Sequence, residues 1–402
     1  MNKDKHIPQG YKESPLGIIP KEWEVKRLED CFEISAGRDL EKDFYSSTKT
    51  SKCCYPIFSN SLENKGLYGY TSQPRHKGNS ITITGRGTLG HAEYRTEDYD
   101  AIIRLLVLSP KIEISCKLIS DYINYTTPFI YESTGVPQLT APQIKSTKLL
   151  LPPYKEQQGI VEVLQLWDTA IEKQSELIEK LKLRKRALMQ QLLTGKKRLP
   201  GFSGEWKEVK LGDIGEMFKG CGVPKDSIIE AGHKCLTYGD IYTKYDYVIS
   251  NVKSYINDDT ASKSTKIQYG DICFAGSGET KEDIGKCAAF IDAQYGYAGG
   301  DIIIFRAIES NPITLSYILN SDSVIRQKSN MGQGHSVVHI YPYQLEKLRF
   351  KLPPKVEQDT IASILMDADK EIEFAKEQLV CLQSQKRGLM QQLLTGKKRV
   401  IE

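Results

Sequence analysis

The stretch LMQQLLTGKKR, Leu188 to Arg198, recurs letter for letter as Leu389 to Arg399, and the offset of 201 is half of the 402-residue chain. Extended backwards without a gap, residues 151–198 match residues 352–399 at 25 of 48 positions. Solenoid and propeller units repeat every ~20 to 50 residues, so a period this long is a duplicated domain with a shared appendage. Both appendages open at Leu-Pro-Pro (Leu151 to Pro153, Leu352 to Pro354) and run through Glu156-Gln157 or Glu357-Gln358.

The first appendage places apolar residues at Leu164, Trp167, Ile171, Ile178, Leu181, Leu188 and Leu192, and the second at Leu365, Ala368, Ile372, Ala375, Leu379, Leu382, Leu389 and Leu393. Steps of three and four in a stretch rich in Glu, Lys, Gln and Leu predict coiled-coil helices. The double proline holds the chain extended before each helix, and Gly195 or Gly396 stands where a left-handed terminator is wanted. From about Glu156 to Leu193 such a helix rises to roughly 57 Å. Neither helix has another partner of its length. They are therefore expected to pack on each other through Leu164, Ile171, Ile178, Leu181 and Leu188 on one side and Leu365, Ile372, Leu379, Leu382 and Leu389 on the other. The basic runs Lys180 to Arg186 and Lys196 to Arg198 read as solvated helix faces, with phosphate contact the lesser alternative because they lie close to a helix end.

Composition narrows the class. Hydrophobic residues at 40% and charged residues at 26% supply the core and surface of an ordinary protein of two or more domains. No run approaches the ~18 apolar residues of a membrane span, and the opening MNKDKHIPQGYK lacks a secretory apolar region, so no membrane association and a cytoplasmic location are expected. The nine cysteines form no CxxC pair, which points to reduced thiols and to no structural zinc or other metal. A net charge of +4 permits nucleic-acid binding without requiring it.

Each half begins alike, with Trp23, Val25 and Leu28 or Trp206, Val209 and Leu211 in strand-like spacing. A strand then leads into a glycine loop: Gly78 to Ile83 into TGRGTLG (Thr84 to Gly90), and Gly270 to Phe274 into AGSGETKEDIG (Ala275 to Gly285). Strand-like runs follow at Ala101 to Leu108 and Gly300 to Phe305, then helical candidates near Cys116 to Tyr125 and Pro312 to Gln327. A second loop, STGVPQLT (Ser133 to Thr140) or MGQGHSVVH (Met331 to His339), precedes a last strand. The expected fold is α/β or α+β: similar domains at 1–150 and 199–350, each followed by a long helix, at 151–198 and 351–402, the helices pairing as an antiparallel coiled coil.

In this order, twice, the elements YKESPLGIIPKEW, GNSITITGRG and GDICFAGSG, STGVPQL, LPPYKEQ and LPPKVEQ, and the doubled LMQQLLTGKKR resemble the specificity subunits of type I restriction-modification enzymes along the whole chain. The resemblance implies two target-recognition domains, each reading half of a bipartite asymmetric sequence in double-stranded DNA, with the helices as spacer. It also implies assembly with modification subunits that methylate adenine from S-adenosylmethionine and with restriction subunits that translocate and cut DNA. In one departure, HSVVH (His335 to His339) offers no evident counterpart of Gln138. Divergent domains on a repeated scaffold suit two different readers, where a homodimer would favour a palindrome.

Catalytic motifs are incomplete. Adenine methylation needs Asn or Asp before Pro-Pro-Tyr to accept from the target amine, and Leu151 cannot accept. Around Gly285-Lys286 a phosphate loop would need glycine at Thr280 and Ser or Thr at Cys287. His335 and His339 flank Val337 and Val338 in a strand-like pattern that does not suit a metal pair. No cofactor is therefore expected, and a fused methyltransferase or nuclease, or a coiled-coil adaptor without DNA, is the lesser reading. The glycine loops are the candidate DNA contacts, through Thr84, Arg86, Thr88, Ser277, Thr280 and Lys281, with Gln138 from the STGVPQL element.

Overall fold

The protein is described by a computed structural model covering residues 7–126, 129, 137–334 and 337–400, Lys225 by its backbone alone. Ser133 to Val136 of the STGVPQL element and His335 lie outside the described residues. The chain divides into two compact units, one formed by residues 1–175 with 377–402, the other by residues 176–376.

In the first unit, Glu24–Arg27 pairs antiparallel with Lys148–Leu151, tying the start of the domain to the strand that ends at Leu-Pro-Pro. An antiparallel sheet runs Phe32–Ala36, Leu106–Pro110, Ser80–Ile83, Ala92–Arg95, with helix Cys116–Thr126 against its last strands. A second sheet runs Asp100–Ala101, Tyr55–Phe58, Leu67–Thr71, Tyr45–Ser46.

The second unit repeats this plan. Lys207–Lys210 pairs with Arg349–Leu352, and a sheet runs Gly215–Lys219, Ile302–Ala307, Asp271–Ala275, Cys287–Phe290, with Val248–Ile249 added at its edge. Its other sheet runs Tyr255–Ile256, His233–Leu236, Gly296–Ala298, Thr265–Ile267. In both units the central strand before the glycine loop, Ser80–Ile83 or Asp271–Ala275, is buried throughout, its residues apolar or small apart from Asp271, whose carboxylate is paired with Arg306 (2.8 Å).

Two expectations are corrected. The apolar run 101–108 is not one strand: Ile103 and Arg104 take left-handed φ of 55° and 59°, so a turn divides Asp100–Ala101 from Leu106–Pro110. The run 312–327 is two helices, Pro312–Leu319 and Asp322–Met331. The side chain of Asn320 between them is held by Cys287 O (2.7 Å) and Cys287 N (3.2 Å).

The appendages are helices Tyr154–Leu192 and Lys355–Leu393, 39 residues each, and each begins in one unit and ends in the other. They pack antiparallel. In the first unit Asp168 pairs with Lys386 (2.5 Å) and Gln174 with Gln378 (3.2 Å); in the second Arg184 pairs with Glu371 and Lys185 with Asp369. Leu164, Ile178, Leu181, Leu365 and Ile372 are buried, while Ile171, Leu188, Leu379, Leu382 and Leu389 are half-buried.

The shared motifs explain how the helices are anchored. In the first unit, buried Glu156 takes a two-pronged bond from Arg399 (2.7 and 2.9 Å) and a third from Trp23 Nε1 (3.0 Å). In the second, buried Glu357 takes the same bonds from Arg198 (2.8 and 2.8 Å) and Trp206 (3.1 Å). The neighbouring glutamines span Pro152 O and Ser115 N, or Pro353 O and Asn311 N, all at 2.8 Å. Gly195 and Gly396 have φ of +65° and +70°, and a Cβ on Gly396 would meet Pro20 at 2.5 Å, so only glycine lets this turn lie on the domain. Each unit thus closes its core with the end of the other repeat's helix: Leu393 and Leu394 in the first, Leu192 and Leu193 in the second.

Candidate nucleic-acid interface

The loop Thr84 to Gly90 connects strands Ser80–Ile83 and Ala92–Arg95. Thr84 closes it: its N–H donates to His91 O (2.9 Å), its hydroxyl accepts from His91 N (3.0 Å) and donates to Thr88 O, and Gly90 N donates to Thr84 O (2.8 Å). Thr84, an expected DNA contact, is 4% exposed, and its side chain holds the loop. Arg86, Gly87 and Thr88 are exposed at the tip. Gly85 sits so tightly that a Cβ would meet Leu139 O at 2.8 Å; its N–H donates to Asn60 Oδ1 (2.7 Å) and its carbonyl accepts from Leu139 N (3.0 Å). That last bond brings half-buried Gln138 beside Arg86 in the chain path.

Two further arginines belong to this frame and were not found from sequence. Asn60 Nδ2 donates to Ile103 O (2.7 Å), Ile103 N donates to Arg38 O (3.1 Å), and Arg104 N donates to Gly37 O (3.2 Å). Arg38 and Arg104 are both exposed, so three arginines from segments far apart in sequence crown one set of interlocked loops. Left-handed φ at two adjacent non-glycine residues was the available signal, but it exists only in the backbone.

The second unit keeps the frame and changes the side chains. Ile340 N donates to Gly276 O (2.9 Å) where Leu139 bonds Gly85, and Gly276 N donates to Asp301 O (2.8 Å). The turn 140–143, with Gln143 Oε1 on Thr140 N (2.8 Å), matches 341–344, with Gln344 Oε1 on Tyr341 N (2.9 Å). This equivalence places His339 where the first unit has Gln138, which supplies the counterpart the sequence comparison lacked. Ser277 stands in place of Arg86, Cys221 in place of Arg38 and Asp301 in place of Arg104.

Ser277 is buried, and its Oγ lies 2.9 Å from His339 Nδ1 across a short antiparallel bridge. Thr280 is exposed, but its hydroxyl is engaged with Asp283 Oδ2 (2.9 Å); Lys281 is exposed. Beneath the loop the buried Lys328 amine donates to Gly285 O (2.7 Å), and burial lowers its pKa.

The family profile described as "Type I restriction modification DNA specificity domain" matches twice, over residues 20–183 and 203–382. The chain belongs to this family. It is 23% identical to the MjaVIII type I restriction enzyme specificity subunit of Methanocaldococcus jannaschii over 98% of both chains, and 24% identical to the MjaIX specificity subunit of that organism over 43% of this chain and 45% of the other.

Among solved structures, the type I restriction-modification S subunit from M. genitalium matches with a TM-score of 0.59 at 15% identity, covering 92% of this chain and 96% of that one. A chain from a study of complex assembly and conformational transition in the type I system matches with a TM-score of 0.60 at 16% identity, covering 94% and 99%. At these identities the likeness is one of fold. Specificity subunits are the non-catalytic members of their systems, in keeping with Leu151 where a methyltransferase needs an acceptor. Among the described residues, no helix is long and apolar enough to cross a membrane.

Proposed function

We infer that this chain recognises a DNA target and scaffolds a type I restriction-modification complex, and we propose that the target is bipartite, one half read by each unit. The recognition domains in this reading are residues 1–150 and 199–350, and the helices within 151–198 and 351–402 are the spacer. The observation that carries it is the contrast within the duplication. Anchors Glu156–Arg399 and Glu357–Arg198 are the same in both units, while side chains crowning the glycine loops differ. A scaffold holding two different readers has this signature.

Arg38, Arg86, Thr88, Arg104 and Gln138 are the proposed DNA contacts of the first unit, and Thr280 and Lys281 contribute in the second; arginine suits phosphate and guanine, and glutamine suits adenine. The proposed partners are modification subunits, which carry out adenine methylation, and restriction subunits, which translocate and cut.

Sequencing the methylated positions in DNA of cells that make this protein with its partners tests the reading: a motif of two specified halves and an unread gap is expected, and a continuous or palindromic motif overturns it. The spacer role has its own test. Four residues inserted before Thr194 add ~6 Å of helix, against ~34 Å per ten base pairs, so the gap should lengthen by roughly one or two base pairs with both halves unchanged. A constant gap at full activity would remove the helices as ruler.

A further inference from the structure

Both units use the same backbone bonds to bring two loops together, Leu139 N to Gly85 O and Ile340 N to Gly276 O, and in both the next residue out on each strand is a polar side chain. In the first unit these are Arg86 and Gln138; in the second, Ser277 and His339. Packing alone would favour keeping the same residues on the same frame, as it does at Gln143 and Gln344. Here the frame is constant and the side chains next to it are exchanged.

From this we propose that His339 is a specificity-determining residue of the second unit, reading a base edge at the position Gln138 occupies in the first, with Ser277 as the residue that orients it. The inference rests on the DNA-recognition reading above. Ser277 is buried and only 2.9 Å from Nδ1, so its contribution is to the ring rather than to DNA. In this proposal the Ser277 hydroxyl donates into Nδ1, which leaves the ring proton on Nε2. That N–H suits an acceptor edge, such as N7 or O6 of guanine in the major groove. The backbone adds rigidity: His339 exchanges bonds with Gln333 (2.7 and 2.9 Å) and pairs with Ser277 across the bridge, so the ring is carried on a pinned strand and not on a free loop.

The test compares methylation motifs from cells making the full complex with the unaltered chain, His339→Ala, His339→Gln and Ser277→Ala. His339→Ala is expected to relax a single base position in one half of the motif and leave the other half intact. His339→Gln should shift that position toward adenine, and Ser277→Ala should weaken preference at the same position. Two unchanged halves in the His339 variants, or loss of modification at every site in both, overturns the proposal. If the unaltered chain yields no bipartite motif, the functional reading has failed before this one is reached. Thermal melting of each purified variant, expected within a few degrees of the parent, separates a reading role from a folding defect.

Discussion

The two units meet their helix pair with the same ion pair and a different floor. In the first, Asp168 bonds Lys386 (2.5 Å) beside Asp121 and Lys117, which pair at 2.6 Å, and a cavity of about 880 Å³ opens among these charged side chains and Arg95. In the second, Asp369 bonds Lys185, but Tyr317 takes the place of Asp121: its hydroxyl donates to Asp369, and its ring stacks on Tyr247 with centroids 4.2 Å apart. The Lys185 amine then lies 4.4 Å from the Tyr247 centroid. The long helices keep the same aspartate–lysine pair in both units, whereas the residue facing that pair from the domain is exchanged. One unit has filled the space with aromatic surface and the other has kept it polar.

The comparison breaks most visibly where the units are alike. Arg198→Ala and Arg399→Ala each strand a buried carboxylate, Glu357 or Glu156, and each should destabilise by about 3–5 kcal/mol. Chemical denaturation measures both, and a silent variant on one side would show that the anchors are not equivalent.

Where the units differ, the costs should differ. Tyr317→Ala removes a buried ring and its bond to Asp369, costing about 3 kcal/mol, while Asp121→Ala beside the open cavity should stay within about 1 kcal/mol. Equal losses in urea titrations would mean that the aromatic floor adds no packing. On the helices, Leu181→Ala should cost about 2 kcal/mol and half-buried Leu382→Ala about 1 kcal/mol. The reverse order would place the tighter seam in the other unit.

The smallest expected effect is one of pH. Burial raises the Asp121 carboxyl pKa, with Lys117 opposing it. Its folded value therefore lies above the unfolded ~3.9, so its share of stability is full below that value and is lost as pH rises through the folded value. Asp121→Asn cannot ionise and should gain on the parent over the pH range above the unfolded ~3.9. Unfolding free energies followed across that range decide it, and a parent that gains instead would mean the Lys117 pair dominates.

The sequence by itself determined the duplication, the helices and their turns, because these depend on local signals: a 3.5-residue apolar period, two prolines before each helix and a glycine after it. It also marked the two glycine loops, since a buried strand running into Gly85 or Gly276 is legible as composition.

Only the tertiary structure decided which loop residues face outward. Thr84 and Ser277 look like surface donors in sequence but are spent on His91 and His339, and Arg38 and Arg104 join Arg86 through Asn60, a residue with no motif of its own. Hydrogen bonds between segments tens of residues apart leave no periodicity to read. Nor does the sequence reveal that Arg399 belongs to Glu156 and Arg198 to Glu357, because identical repeats pair equally well with themselves or with each other until the antiparallel helices choose.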